Sequence, residues 1–301
     1  MKNTQVIGID IGGTTISLGR FLTNGNCEEF LTIPTPQPAT PETVVKAIAD
    51  TISSLTKDYN CRAIGIGMPG PTDKTNRIAK VGINLPNWEN IPLAQMIENH
   101  TQLPTTLAND ANCAAMGEAW IGAGKDIANF IMLTLGTGVG GAIFLNGELF
   151  TGSYGAAGEL GLITLDPNGH PCNSGNNGSL EQHACIRAIK RMTGKTPMEL
   201  SILAQKCDRD ALQFWQQYGT ILGAGITSLI YVLTPEAVIL GGGISDSAEY
   251  FFPATEAEIM RRVHPSSRIG LRLLKAQLGN NAGMIGAAKL AWNLLERLNI
   301  N

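Results

Sequence analysis

Two stretches of the chain carry the same pattern of apolar and small residues. Val6-Ile7-Gly8-Ile9-Asp10 is an apolar run of strand length that meets Ile11-Gly12-Gly13-Thr14-Thr15. Phe130-Ile131-Met132-Leu133-Thr134-Leu135 likewise meets Gly136-Thr137-Gly138-Val139-Gly140-Gly141. In each copy a second apolar segment follows the glycines and ends at a turn, Asn24-Gly25-Asn26 in the first and Asn146-Gly147 in the second. Asn-Gly between alternating apolar residues is a strong hairpin signal, because both residues tolerate the positive φ that a tight turn demands. The repeated unit predicts strand, glycine turn, strand, Asn-Gly turn, strand. Two such units facing each other would aim two sets of backbone N–H groups at one inter-domain cleft, an arrangement suited to a polyphosphate.

The remaining apolar positions alternate between strand and helix spacing. In the first half they predict strands over 5–10, 14–21 and 28–33, then a proline-rich loop from Pro34 to Pro41. Thr40 as N-cap and Pro41 at the first helical position open a helix with Val44, Val45, Ile48, Ile52 and Leu55 on its apolar face. Ala63-Ile64-Gly65-Ile66-Gly67 reads as a buried strand ending in the turn Pro69-Gly70-Pro71. Thr105-Thr106-Leu107-Ala108 is another strand, stopping at Asn109-Asp110 before a helix through Ala119. In the second half the repeat at 130–150 gives way to a long glycine-rich loop from Thr151 to Gly178. Helices are expected over 180–192 and 209–232, strands at 237–240 and near 271–277, and a last helix from Ala282 to Leu298. Strands alternating with helices, plus two meanders, predict an α/β architecture with a mixed β-sheet in each half. The expected division is a small N-terminal domain over 1–115 and a larger one over 116–281, with a helix at 282–301 packing back at their junction.

Composition narrows the partners. With 16% charged residues and a net charge of −3, the chain has no electrostatic footprint for nucleic acid or an anionic membrane. It contains no run of Lys or Arg that a long polyanion could follow. The most apolar region, Leu222 to Leu240, is broken by Thr234-Pro235 and is read as a helix end and a strand, not a membrane span. Six cysteines are scattered without a disulfide-like spacing, and no secretory leader precedes the first strand pattern. Reduced thiols in a cytoplasmic protein are the expectation.

Candidate chemistry gathers at the strand ends. Backbone N–H groups beside glycines can approach phosphate oxygens because no β-carbon intervenes. The amides of Gly12, Gly13, Gly136 and Gly138 are therefore candidates to stabilise a transferring phosphoryl group, with hydroxyl donors from Thr14 and Thr137. Asp10, at the end of a buried strand, suits Mg2+ held through water. The alternative for each glycine turn is a plain hairpin, and it is the duplication that favours phosphate. The chain has neither a G-x-x-x-x-G-K-[ST] nor a helix-opening G-x-G-x-x-G. Gly241-Gly242-Gly243 closes a strand and offers a flat wall for an adenine ring. Asn109-Asp110 can cap a helix, Asp being a favoured cap; a carboxylate there can also take a proton from an attacking hydroxyl. Glu159 lies between glycines in Gly158-Glu159-Leu160-Gly161, which points to crowded backbone. Glu181 follows Ser179 in what matches a capping box with Gln182. Both glutamates are candidates to accept hydrogen bonds from sugar hydroxyls.

Together these motifs resemble the ROK family of sugar kinases, of the actin-like, hexokinase-type ATPase class, and its bacterial glucokinases in particular. The resemblance runs from about Val6 to Ala288 with the motifs in family order. Asp10-Ile11-Gly12-Gly13-Thr14 is similar to the family's first phosphate loop, and Leu135 to Gly141 to the second. Gly241-Gly242-Gly243 is similar to its adenosine motif. Asn109-Asp110 matches the pair in which Asp is the catalytic base and Asn binds sugar. Glu159 and Glu181 match the two sugar-binding glutamates. Gly67-Met68-Pro69-Gly70-Pro71 and Asn84-Leu85-Pro86-Asn87-Trp88 resemble segments lining the sugar pocket, which brings in Gly70 and Asn84. The resemblance implies a two-domain actin-like (ribonuclease H-like) fold that uses ATP and Mg2+ to phosphorylate a hexose, with glucose and its 6-hydroxyl expected first. It also implies a homodimer, with no nucleic-acid or membrane partner.

Three features depart from the family pattern. Leu162 stands where the family has a histidine that both binds sugar and neighbours a zinc site. The zinc cysteines, C-x-C-G-x-x-G-C, are here Cys172-Asn173-Ser174-Gly175-Asn176-Asn177-Gly178-Ser179, so no zinc site is expected. Hydrogen bonds from Ser174, Asn176 and Ser179 are the expected substitute. Thr15 replaces a lysine common after the first Gly-Gly-Thr. The alternatives are a kinase for fructose, mannose, allose or an amino sugar, a polyphosphate-using variant, and a catalytically weak sugar sensor. A sugar-responsive repressor is a further class, but only nine residues precede Asp10, too few for a helix-turn-helix.

Overall fold

The computed structural model describes residues 4–83 and 85–298. The chain divides into two compact units, one formed by Met1–Lys125, Leu149–Ala157 and Asn280–Asn301, the other by Asp126–Glu148 and Gly158–Gly279.

The first unit opens with the meander β1 (Gln5–Ile11), β2 (Thr15–Phe21) and β3 (Cys27–Pro34). Helix α1 (Pro41–Thr56) follows, capped by the Thr40 hydroxyl, which accepts from the Thr43 amide at 3.4 Å. Then come β4 (Cys61–Met68), the small ribbon of β5 (Ala79–Val81) and β6 (Glu89–Ile91), α2 (Leu93–Thr101), β7 (Thr105–Asn109) and α3 (Asp110–Ile121). The sheet order is β3-β2-β1-β4-β7, with β1, β4 and β7 parallel. Ile7, Ile9, Ile64, Ile66 and Leu107 meet the apolar face of α1 in a core that admits no water to any of them.

The second unit repeats the plan. It contains β8 (Phe130–Leu135), β9 (Val139–Leu145), the first residue of β10 (Glu148–Leu149), α4 (Leu180–Ala184), α5 (Ile186–Thr193), α6 (Pro197–Gln205), α7 (Arg209–Leu233), β11 (Ala237–Gly241), α8 (Ala248–Arg262) and β12 (Arg272–Lys275). Its sheet order is β10-β9-β8-β11-β12, with β8, β11 and β12 parallel. At the Asn-Gly turn after β9, Asn146 and Gly147 both take positive φ, as the hairpin signal required. Trp215 and Phe251 stack between α7 and α8, and Tyr218 meets both rings edge-on.

The last helix, α9 (Ala282–Arg297), belongs to the first unit, where it lies across β1 and β4. Gly65 permits that approach: a β-carbon there would overlap the carbonyl of Ala287. Met284, Ala288, Ala291 and Trp292 close over Val6, Phe21 and Ala63.

Two expectations change. The helix over 180–192 is broken at Cys185, whose backbone is extended (φ −90°, ψ 166°) and whose thiol caps α5 by accepting from the Ala188 amide at 3.4 Å. Helices α2, α6 and α8 form where the apolar spacing predicted no element; Pro253 inside α8 interrupts its pattern without ending it. No described helix is long and apolar enough to cross a membrane, and none of the six cysteines forms a disulfide.

Candidate active site

In the first unit the parallel strands end at one edge, and their register puts Asp10 beside Gly67 and Gly67 beside Ala108. Asp10 and the Asn109-Asp110 pair thus flank β4 at the carboxyl edge, where open α/β sheets collect ligands. The cap of α3 is Asn109, not Asp110. Its Oδ1 accepts from the amides of Ala111 (2.9 Å) and Asn112 (3.3 Å), because it holds the extended geometry a cap needs. Asp110 is the first helical residue, with Oδ1 accepting from Ala111 at 2.8 Å. Asn109 also donates to the Gly70 carbonyl at 3.4 Å, bringing the Pro69-Gly70-Pro71 turn to the same edge. Asn84 lies outside the described residues.

Asp10 sits in a slot walled by glycines. A β-carbon on Gly283 of α9 would stand 2.8 Å from its Cγ, and one on Gly67 3.4 Å from its Oδ1. Loss of water in this slot, together with the charge of Asp110, pushes the Asp10 carboxyl from 3.8 to about 7. Asp110 keeps surface that a substrate can reach, yet desolvation by the protein around it raises its pKa too, against hydrogen bonds from Ala111 and Asn109. Neither carboxylate is neutralised by an ion pair among the described residues. A strand-end carboxyl such as Asp10, with no ion-pair partner among the described residues, is a donor of the kind that would hold a hydrated Mg2+.

Both glycine turns are hairpin tips. Gly12 donates to the Thr15 carbonyl (2.9 Å) and Gly136 to that of Gly138 (2.9 Å), which removes these two amides from the expected donor set. Each first glycine closes the turn on itself, and the residues after it face outward. No protein acceptor among the described residues takes the N–H groups of Gly13, Thr14, Thr137 or Gly138. A residue that the sequence reading missed tethers the first turn: buried Thr35 donates its hydroxyl to the Gly12 carbonyl (2.7 Å) and its amide to that of Thr14 (2.9 Å). Its only signal in sequence is a hydroxyl between two prolines.

In the second unit β8 and β11 end together, Thr134 beside Gly241. Gly241 is buried in the sheet, and only Gly242 and Gly243 are exposed, so the wall is narrower than three glycines suggested. Gly242 needs its φ of +79° to pass over the backbone of Leu135, the strand that leads into the second turn. Gly158-Glu159-Leu160-Gly161 packs on β9 so tightly that a β-carbon on Gly161 would overlap the Val139 carbonyl. The Val139 amide in turn donates to Glu181 Oε2 at 3.0 Å, while Arg187 lies 3.6 Å from Oε1. The two glutamate motifs and the second glycine turn therefore meet around Val139.

The capping box at Ser179 does not form. Ser179 is buried and its Oγ is 2.9 Å from Cys172 Sγ, so the hydroxyl is turned away from α4 and makes no cap bond. Of the three residues expected to brace this loop, Asn176 and Ser179 do so, whereas Ser174 is exposed and makes no side-chain hydrogen bond among the described residues.

The family model described as ROK family matches residues 6–293. The chain is 33% identical over 310 residues to a glucokinase of Thermotoga maritima, covering 96% of this chain and 98% of that relative. Among solved structures it matches a ROK family glucokinase from Streptomyces griseus in complex with glucose and AMPPNP, with a TM-score of 0.82, 32% identity and coverage of 96% and 99%. A ROK hexokinase from Thermus thermophilus matches with a TM-score of 0.84, 32% identity and coverage of 97% and 99%. These neighbours are of the actin-like ATPase class, and the chain, matched over nearly its whole length, belongs to the ROK family.

Proposed function

We propose that the protein is an ATP-dependent sugar kinase of the glucokinase type, transferring the γ-phosphoryl group of ATP to the 6-hydroxyl of glucose. The observation that carries this reading is the Asp110 carboxylate, exposed and without an ion-pair partner among the described residues, with its raised pKa, at the strand edge across β4 from Asp10. A raised pKa makes Asp110 a stronger base than an ordinary aspartate. It takes the hydroxyl proton as the sugar oxygen bonds to the γ-phosphorus; the bond from that phosphorus to the β-γ bridging oxygen breaks, and ADP leaves. Asn109, Gly70 and Asn84 are assigned to the sugar with Glu159 and Glu181. At Glu181 a sugar hydroxyl competes with the half-exposed Arg187. The amides of Gly13, Thr14, Thr137 and Gly138 donate to phosphate oxygens, with Gly12 and Gly136 shaping the turns, and the exposed Gly242-Gly243 wall receives the adenosine. Asp10 is the residue that would hold Mg2+ through water, and the ion would supply positive charge to the phosphates.

Two measurements test the reading. Asp110→Asn keeps the shape of the site and removes the base, and is expected to lower kcat by about 10²–10⁴-fold with glucose affinity little changed. Retained turnover would remove Asp110 from the role. A coupled ADP-release assay with Mg-ATP against a panel of hexoses is expected to rank glucose first. Preference for another hexose would overturn the glucose assignment and direct attention to Leu162.

A further inference from the structure

The segment between Glu159 and Glu181 is where the family pattern places zinc, and the residues present do not fit that ion. A structural zinc site needs four nitrogen or sulfur ligands. Of the motif's cysteines only Cys172 remains; Ser174 and Ser179 offer neutral hydroxyls, and Leu162 offers no donor. Among the described residues no three His, Cys, Asp or Glu side chains are grouped to hold a metal ion. The Cys172 thiol is already engaged, 2.9 Å from Ser179 Oγ, with both residues buried.

The same segment is closed by a continuous ring of hydrogen bonds. Leu162 N donates to the Glu159 carbonyl at 3.0 Å, and the Leu162 carbonyl accepts from Asn176 Nδ2 at 3.0 Å. Asn176 exchanges bonds with the Thr164 hydroxyl, donating at 2.9 Å and accepting at 3.2 Å. The Asn176 carbonyl accepts from Cys172 N at 2.7 Å, and the Cys172 thiol passes the chain to Ser179. Leu180 N, one residue before Glu181, donates to Ile163 at 2.9 Å. Every step from Glu159 to Glu181 is thus a protein–protein bond, with Asn176 the residue through which most of them pass. An amide side chain suits this place because it donates and accepts at once.

We propose that this chain replaces the family's metal with a hydrogen-bonded brace, in which Asn176 and the Cys172–Ser179 pair are positioning residues for Glu159 and Glu181. The positioning role rests on the sugar-kinase reading above; the metal-free brace does not. Leu162, in place of a ligating histidine, contributes its backbone to the brace and only packing from its side chain.

The test separates these parts. Protein purified from zinc-supplemented medium is analysed for bound metal, and hydrogen exchange over 160–180 is measured with and without chelator. The expected result is well below one zinc per chain and exchange unaffected by chelator. Stoichiometric zinc whose removal loosens the segment would overturn the brace. Asn176→Ala and the milder Thr164→Val are expected to speed exchange in this segment. They should also raise the glucose Kd, by about tenfold for Asn176→Ala, the order of one lost hydrogen bond, with ATP KM unchanged. Ser179→Ala should act likewise and Ser179→Thr, which keeps the hydroxyl, should restore protection. Unchanged exchange in both Asn176→Ala and Thr164→Val overturns the role of Asn176. Faster exchange with unaltered glucose affinity overturns positioning. If the wild type binds no hexose, the sugar-kinase reading fails and positioning with it, while metal content and exchange still decide the brace.

Discussion

Asp10 shows how much of this site is a matter of water. An aspartate at a strand end is unremarkable in sequence; lodged between Gly67 and Gly283 and near Asp110, it titrates at about 7 instead of 3.8. The sign follows from linkage. Because the folded chain holds a proton that the unfolded chain releases near 3.8, this residue's contribution to stability is full below that value and lost as pH rises to about 7. Without divalent cation, the melting temperature of the wild type should therefore fall relative to Asp10→Asn between about pH 4 and about pH 7, then run parallel to it. Parallel curves across the whole range would mean that Asp10 ionises normally.

At the scale of elements, the decisive contacts are made by glycines that bring backbones together. Gly65 lets α9 rest on β4, and a methyl group there meets a carbonyl that belongs to a helix and cannot step aside. Gly65→Ala is expected to destabilise the protein by about 1–3 kcal/mol in urea unfolding, the usual range for overpacking. Gly13 is the contrasting case, since a β-carbon there meets nothing within 4 Å. Gly13→Ala should leave stability unchanged while raising the KM for ATP, because the space it fills is the one assigned to phosphate. Loss of stability in Gly13→Ala, or none in Gly65→Ala, would contradict this division of roles.

Across the whole molecule, the two units share one sheet plan: three antiparallel strands followed by two parallel ones. That plan places a glycine turn after the first strand of each unit, which is why the turn occurs twice in the chain. The units are not simply consecutive in sequence, because α9 returns to the first of them. Its core positions over Val6 and Ala63 predict that, in native-state hydrogen exchange at rising denaturant, α9 opens together with β1 and β4. It should not open with α7 and α8, which belong to the other core. Exchange of α9 at low denaturant, well before β1, would refute the assignment.

What the sequence determined by itself is what depends on near neighbours. The two meanders, their Asn-Gly turns, the Thr40 cap and the Asn109-Asp110 strand end all follow from residues within a few positions of one another. The family was legible for the same reason, since its motifs are short and each holds its chemistry within a few residues. Tertiary structure alone decided the rest. It turned the Ser179 hydroxyl from its helix to Cys172 and broke the helix at Cys185. It tied the first turn to Thr35 and set the carboxylate of Glu181 on the amide of Val139. A hydroxyl, an amide or a carboxyl group bonds to whichever partner the fold brings within reach. The partners of Ser179, Thr35 and Glu181 lie between seven and forty-two positions away, where no local pattern records them.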